Sequence, residues 1–332
     1  MIKNVADKTK KRALVTGATG YIGYHLAKRL LQDGWQVHVL LREKSDIRKL
    51  KDLNGQVSVF RYDGKSKKII SALQQAQPDF VFHLAAKVFV DHRLEEMEDI
   101  VHANILLGVQ LLEGMTQLGI RFFINTGSYW QHYEGKPKNP VNFYAATKQS
   151  FEDILCLYAG TGKIRALTLK LFDVYGPGDT RPKIFSLFER CAQSGEPLAM
   201  SPGEQLLDLV YIDDTVEAFC RAAHLLETEQ AGTLEASYAV TSSKHLSLRD
   251  VAAMYQRLSG RELKIVWGGR PYRNREVMVP WKGTPLPGWT PRVDLENGIR
   301  NVIAPSNLSQ AAKDQSNHSC NTKAVPEDAH RD

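Results

Sequence analysis

The chain is poor in cysteine, and that scarcity closes off several chemistries at once. Its 332 residues include four cysteines, Cys156, Cys191, Cys220 and Cys320. They form no Cys-x-x-Cys pair and meet no histidine at metal-ligand spacing, so neither a metal site nor a dithiol centre is expected. Cys156 and Cys220 fall among apolar residues of predicted helices, where cysteine serves as a small core residue. Long apolar runs are also missing, so no segment is expected to span a bilayer. The opening MIKNVADKTKKR is basic but lacks the apolar stretch of a signal peptide, which leads us to expect a cytoplasmic protein with no membrane partner. Charge of one sign is scarcely in excess: 43 Lys plus Arg stand against 37 Asp plus Glu, a formal net charge of +6. No basic block is interleaved with aromatics, so nucleic acid is not an expected partner, and one anion-binding cleft in a solvated surface accounts for the balance. No internal repeat is visible.

What is present is the composition of a globular domain, with 43% hydrophobic and 24% charged residues. The first half alternates short β-rich runs (12–16, 36–40, 57–62, 80–84, 122–126 and 166–172) with helical patterns (24–32, 67–75, 104–118 and 145–158). That alternation, with near-continuous apolar strands, predicts βαβ units and a parallel sheet covered by helices on both faces. The expected fold is α/β, a doubly wound parallel sheet of the Rossmann kind over 1–176, to which 206–225 returns. A smaller substrate-binding lobe is expected over 177–304, where Pro- and Trp-containing loops break the pattern. From 305 to 332 the residues are polar with few large apolar side chains, and this tail is expected to be disordered.

The first βα turn carries the clearest chemistry. Gly17-Ala-Thr19-Gly20-Tyr21-Ile22-Gly23 follows a predicted strand and opens a predicted helix. Gly17 permits the tight turn, Gly20 lets backbone approach a pyrophosphate, and Gly23 lets the helix pack closely on the strand. The helix start then offers unpaired N–H groups and a positive dipole end to phosphates.

The Gly-x-x-Gly-x-x-Gly spacing resembles the extended short-chain dehydrogenase/reductase family, the branch that modifies sugar nucleotides. The resemblance continues through Asp63, expected near the adenine, then His83-Leu84-Ala85-Ala86 after the fourth strand and Tyr144-Ala-Ala-Thr-Lys148. It covers residues from about 11 to 302. At the end of the second strand, where a carboxylate would hydrogen-bond the adenosine ribose, the chain has Arg42, whose guanidinium can grip a 2′-phosphate. NADPH is therefore the expected cofactor in preference to NAD.

Tyr144 and Lys148 share one helix face. An ammonium beside the phenol lowers its pKa from near ~10 and also holds the nicotinamide ribose. The resemblance implies a third member, Thr126, hydrogen-bonding the reacting sugar oxygen, with Ser128 a second candidate at the substrate. Related 4,6-dehydratases carry Asp-Glu straight after that threonine. Here Gly127 and Ser128 follow, so water elimination is disfavoured. The stretch from Lys170 to Pro177 resembles the family's Arg-x-x-Asn-x-Tyr-Gly-Pro element, with Lys170 for Arg and Asp173 for Asn. Asp173 is expected to meet sugar hydroxyls or an arginine, and Arg181, Lys183 and Arg275 to neutralise a diphosphate.

The segments around Gly127–Tyr133, Pro140–Tyr144 and Asp179–Lys183 are similar to O-antigen dideoxysugar reductases that make CDP-abequose and related CDP-sugars. The resemblance thus implies an NADPH-dependent C4-keto reductase of a CDP-4-keto-3,6-dideoxyhexose type substrate, in surface-polysaccharide synthesis. In that reaction hydride goes to the sugar C4, Tyr144 delivers the proton and Thr126 steadies the alkoxide. The family's usual pairing implies a homodimer. Two alternatives stay open: a nucleotide-sugar 4-epimerase with retained NAD, and a non-catalytic dinucleotide-binding regulator.

Overall fold

A computed structural model describes residues 10–53, 55–228 and 235–304. Seven parallel strands form the main sheet in the order β3-β2-β1-β4-β5-β6-β10. The strands are β1 (Arg12–Thr16), β2 (Gln36–Arg42), β3 (Val57–Tyr62), β4 (Phe80–His83), β5 (Phe122–Ser128), β6 (Arg165–Leu171) and β10 (Glu235–Val240). Helices α1 (Tyr21–Gln32) and α7 (Ile212–Glu227) cover one face. The other face carries α2 (Ser66–Ala76), α4 (Leu107–Leu118) and α5 (Phe143–Gly160). Both faces of the central strands are therefore dry, which is why β6 is buried at every position, its polar Arg165, Thr168 and Lys170 included. The chain order reverses beside β1, so the turn after β1 and the loop after β4 open side by side at the sheet's C-terminal edge. Ligands of open α/β sheets bind at such a reversal.

The helix before β5 is more intricate than the 104–118 pattern suggests. It begins with α3 (Met97–Val101), passes through a π-helical turn at His102–Leu106 and continues as α4. Widened turns of this kind let one side chain leave the regular helical face, here that of Asn104.

Beyond β6, β7 (Asp173–Tyr175) pairs with β9 (Leu206–Tyr211), and β9 pairs antiparallel with β11 (His245–Ser247). A further pair joins β8 (Leu198–Met200) to β12 (Ile265–Trp267). Around these small sheets lie α6 (Ile184–Ser194), α8 (Leu248–Ser259) and α9 (Leu295–Ile303). Two placements differ from the sequence expectation. Of the returning segment 206–225, only the helical part, α7, lies on the main sheet, because β9 pairs with β7 instead. Conversely β10, inside the span given to the smaller lobe, joins β6 as the seventh strand of the main sheet. The expected tail from 305 lies outside the described residues.

Candidate active site

The glycine turn is built by close backbone approach. Gly17 has φ +73°, and a Cβ there would come within 2.7 Å of Ala85 N and 2.8 Å of Leu84 C. A Cβ on Gly23 would lie 2.2 Å from the Gly17 carbonyl oxygen. The turn closes through Gly20 N–H donating to that same oxygen at 2.9 Å. Thr16, at the end of β1, completes the frame: its Oγ1 accepts from Leu84 N and Ala85 N, each at 3.1 Å, and lies 2.9 Å from His83 Nδ1. Burial holds His83 neutral, its pKa pulled down to about 3. Helix α1 has no capping side chain and no acidic residue in its first turn. Its leading N–H groups are thus left for an anion, and the cradle fits a dinucleotide pyrophosphate. Thr19 and Ile22 lie within this frame. Tyr21 instead turns its ring away, its hydroxyl donating to the Pro177 carbonyl at 3.1 Å.

At the end of β2, Thr19, Arg42, Lys44, Ser45, Asp46 and Lys49 line a cavity of about 240 Å³. Three cations face one carboxylate there, and that carboxylate, Asp46, already accepts from Arg48 Nε at 2.8 Å. Asp63 caps the turn into α2, accepting from Lys65 N–H at 3.0 Å.

Tyr144 and Lys148 sit in the first turns of α5, whose N-cap is Asn142. The Asn142 side chain accepts from Ala145 N–H at 3.0 Å and donates to the Val90 carbonyl at 3.0 Å, tying the helix start to the loop after β4. Asn104 makes a second tie, donating to Thr147 Oγ1 at 3.0 Å and exchanging hydrogen bonds with the Lys87 backbone at 2.8 and 3.0 Å. The phenol of Tyr144 is pushed up to about 12 by burial, which its hydrogen bond with Ser128 partly offsets. Burial brings the Lys148 amine down to about 8, opposed by Glu152 and assisted by Lys170. The phenol is therefore not yet acidified by Lys148, contrary to the simplest expectation from their spacing. Thr126 Oγ1 and Lys148 Nζ are buried without hydrogen-bond partners. Such groups are costly unless something supplies the missing partner, and a ribose and a sugar carbonyl would do so.

The expected substrate residues do not form one group. Asp173 accepts from Tyr129 OH at 3.1 Å and from Lys183 Nζ at 3.2 Å, so its partner is a lysine and a phenol and not an arginine. Arg181 grips Asp179 through two bonds of 2.7 Å and lies 4.8 Å over the Tyr21 ring, which leaves it braced against α1. Arg275 sits apart, over the Tyr133 ring at 4.4 Å and bonded to Asn139. A run of aromatic contacts connects the smaller lobe to the site. Trp281 stacks on His132 at 4.0 Å and faces Phe172, Phe172 stacks on Tyr129 at 4.7 Å, and Trp130 meets Tyr144 edge-on at 6.3 Å.

Sequence reasoning passed over Thr16, Asn104, Gln131 and Glu152. Only Glu152 left a sequence signal, a carboxylate one helical turn past Lys148 on the same face.

Among known proteins, the NAD dependent epimerase/dehydratase family matches residues 13–235. A CDP-abequose synthase of Yersinia pseudotuberculosis is 28% identical over 271 residues, covering 81% of this chain and 91% of that protein. A probable UDP-glucuronate 4-epimerase of Rhizobium meliloti is 29% identical over 260 residues, covering 72% and 76% respectively. Among solved structures, MoeE5 in complex with UDP-glucuronic acid and NAD superposes with a TM-score of 0.77 at 25% identity, over 91% of this chain and 99% of that one.

Proposed function

Since the chain belongs to the NAD-dependent epimerase/dehydratase family, we propose that it is an NADPH-dependent C4-keto reductase of a nucleotide-linked deoxysugar, of the CDP-4-keto-3,6-dideoxyhexose type. The observation that carries this reading is the cavity of Arg42, Lys44 and Lys49 beside Thr19. Its charge suits the 2′-phosphate of a cofactor that is consumed and exchanged, whereas an epimerase regenerates the cofactor it keeps. Similarity to a CDP-abequose synthase over most of both chains supports the substrate class.

The cofactor supplies hydride to C4 of the sugar. Arg42 would hold the 2′-phosphate, the start of α1 the pyrophosphate, and Lys148 the nicotinamide ribose. Tyr144 gives the proton to the sugar oxygen, and Thr126 and Ser128 hydrogen-bond that oxygen as its charge grows. A phenol near 12 is a weak acid toward a ketone but a competent one toward an alkoxide, so the proton moves as hydride arrives. Glu152, the carboxylate on this face of α5, is committed to Lys170, and water elimination lacks its acid and base. We place the enzyme in the cytoplasm as a homodimer, a pairing that Val101, Leu118 and Leu157, exposed on α3, α4 and α5, would serve.

The reading is tested by incubating the protein with NADPH and a panel of nucleotide 4-keto-6-deoxy and 4-keto-3,6-dideoxy sugars. Mass spectrometry should show one substrate gaining two hydrogens as NADPH is oxidised. The epimerase alternative, favoured by the similarity to a UDP-glucuronate 4-epimerase, requires the opposite: NAD retained through purification, and C4 epimers interconverted without mass change.

A further inference from the structure

The face of α5 that carries Tyr144 and Lys148 continues into a buried charge cluster. Glu152, one turn beyond Lys148, is 7% exposed, and Lys170 on β6, 2% exposed, pairs with its carboxylate. The same carboxylate accepts from Gln131 Nε2 at 2.6 Å, and Gln131 Oε1 accepts from Ser128 N–H at 2.9 Å. Gly127 makes the crossing possible, since a Cβ there would lie 2.8 Å from Lys170 Cδ and 3.0 Å from Gln131 Oε1. The chain of contacts therefore runs from β6 through Glu152 and Gln131 to the serine that hydrogen-bonds Tyr144.

Two cations compete for one buried anion. Glu152 is bonded to Lys170, while Lys148 Nζ is buried with no hydrogen-bond partner. Among the described residues, three further titratable groups near this volume carry no charge at neutral pH: Tyr144 on α5, His83 on β4, pulled down to about 3, and His132 after β5, pulled down to about 4. The Lys138 ammonium also feels Glu152 but is paired at the exposed surface with Asp153 at 2.8 Å. An isolated buried ammonium would either lose its proton or capture the nearest carboxylate. Capture is prevented because Lys170 occupies Glu152, and Glu152 still lies near enough to favour the charged form of Lys148.

We infer that Lys170 and Glu152 are positioning residues for the reaction: Lys170 keeps the Glu152 carboxylate from closing on Lys148, and Glu152, through Gln131, fixes Ser128 beside Tyr144. Lys148 is thereby left charged and open to the cofactor ribose. The inference rests on the Tyr–Lys chemistry of the proposed reading and is independent of the sugar.

The test needs no substrate. In ligand-free protein labelled with [13Cε]lysine, the Lys148 resonance, assigned by its loss in Lys148→Met, is followed by NMR against pH. In Glu152→Gln the titration midpoint should fall, and in Lys170→Met it should rise, each by about one pH unit or more. Lys170→Met should also bind NADPH at least tenfold more weakly, because its Lys148 is held by Glu152, and Lys170→Arg should restore both properties. A purely structural role would lower the melting temperature of the variants without moving the midpoint in opposite directions. Either single variant that folds, judged by circular dichroism, decides the matter: an unmoved midpoint overturns the inference. Failure of the sugar panel with these shifts present would refute the substrate reading and leave this one standing.

Discussion

Replacing Gly23 by alanine asks whether the turn and α1 form one preformed cradle. The added Cβ would lie 2.2 Å from the Gly17 carbonyl oxygen, 2.7 Å from Gly17 C and 3.0 Å from Ala18 Cα. All three are backbone atoms, so no side chain can swing aside. Ordinary contact begins at 3.4 Å, and the difference means helix and turn must part by about 1.2 Å. Overpacking of this kind costs about 1–3 kcal/mol. With roughly 2–4 °C lost per kcal/mol in a domain of this size class, the melting temperature should fall by roughly 2–12 °C. The larger effect falls on the ligand. The leading N–H groups of α1 would move by nearly the same distance from the phosphates, and losing one charged hydrogen bond there, worth about 1.5–3 kcal/mol, is tenfold or more in affinity. Calorimetric melting together with titration of NADPH should show both losses, with affinity down at least tenfold. Unchanged affinity alongside a lowered melting temperature would mean that the phosphates bind elsewhere, and the argument from the cradle would be wrong.

Three further outcomes are expected. Tyr144→Phe should bind NADPH nearly as the parent does but turn over roughly 10²–10⁴ more slowly, the scale of general-acid catalysis; parent-like turnover would remove the phenol from the mechanism. Arg42→Asp should lower the preference for NADPH over NADH at least tenfold, as expected from losing a charged hydrogen bond worth about 1.5–3 kcal/mol, measured as the ratio of kcat/KM values. Lys148→Met should make the ligand-free protein more stable at neutral pH. A lysine whose folded pKa is lowered from 10.5 to about 8 costs stability in full below that value, and the cost fades as pH rises toward 10.5. The gain should be of order 3 kcal/mol near pH 7 and small near pH 10, read from thermal melts at the two values.

The sequence was most informative where structure depends on local pattern. The six strands β1 to β6, the helices between them and the glycine turn are visible as apolar runs broken by Gly and polar residues. Strand β10 was not, because Glu235–Val240 mixes Ala, Ser and Glu and finds its partner β6 far back in the chain. The split of 206–225, with β9 in one sheet and α7 on another, follows from tertiary pairing that no local window contains. At the site, Tyr144, Lys148 and Thr126 carry a recognisable spacing. Gln131, Glu152 and Lys170 belong to three different elements, and only the register of β5 against β6 brings Gly127 opposite Lys170. Arg181 shows the converse: its charge suggests a phosphate ligand, and the structure adds what no charge pattern shows, a pairing of its guanidinium with Asp179 two residues before it.

The space above Gly127 also constrains how this chain could change its chemistry over generations. Dehydratases of similar sequence hold an aspartate where this chain has Gly127, yet the first atom of any side chain there would strike the Lys170 stem. A single Gly127→Asp change thus meets a steric obstacle before its carboxylate can act. Shortening Lys170 first would relieve the tightest of these contacts but let the Glu152 carboxylate close on Lys148, taking that ammonium from the cofactor ribose. The path from reduction to water elimination therefore passes through at least one impaired intermediate whichever substitution comes first, and these positions are expected to change together or not at all.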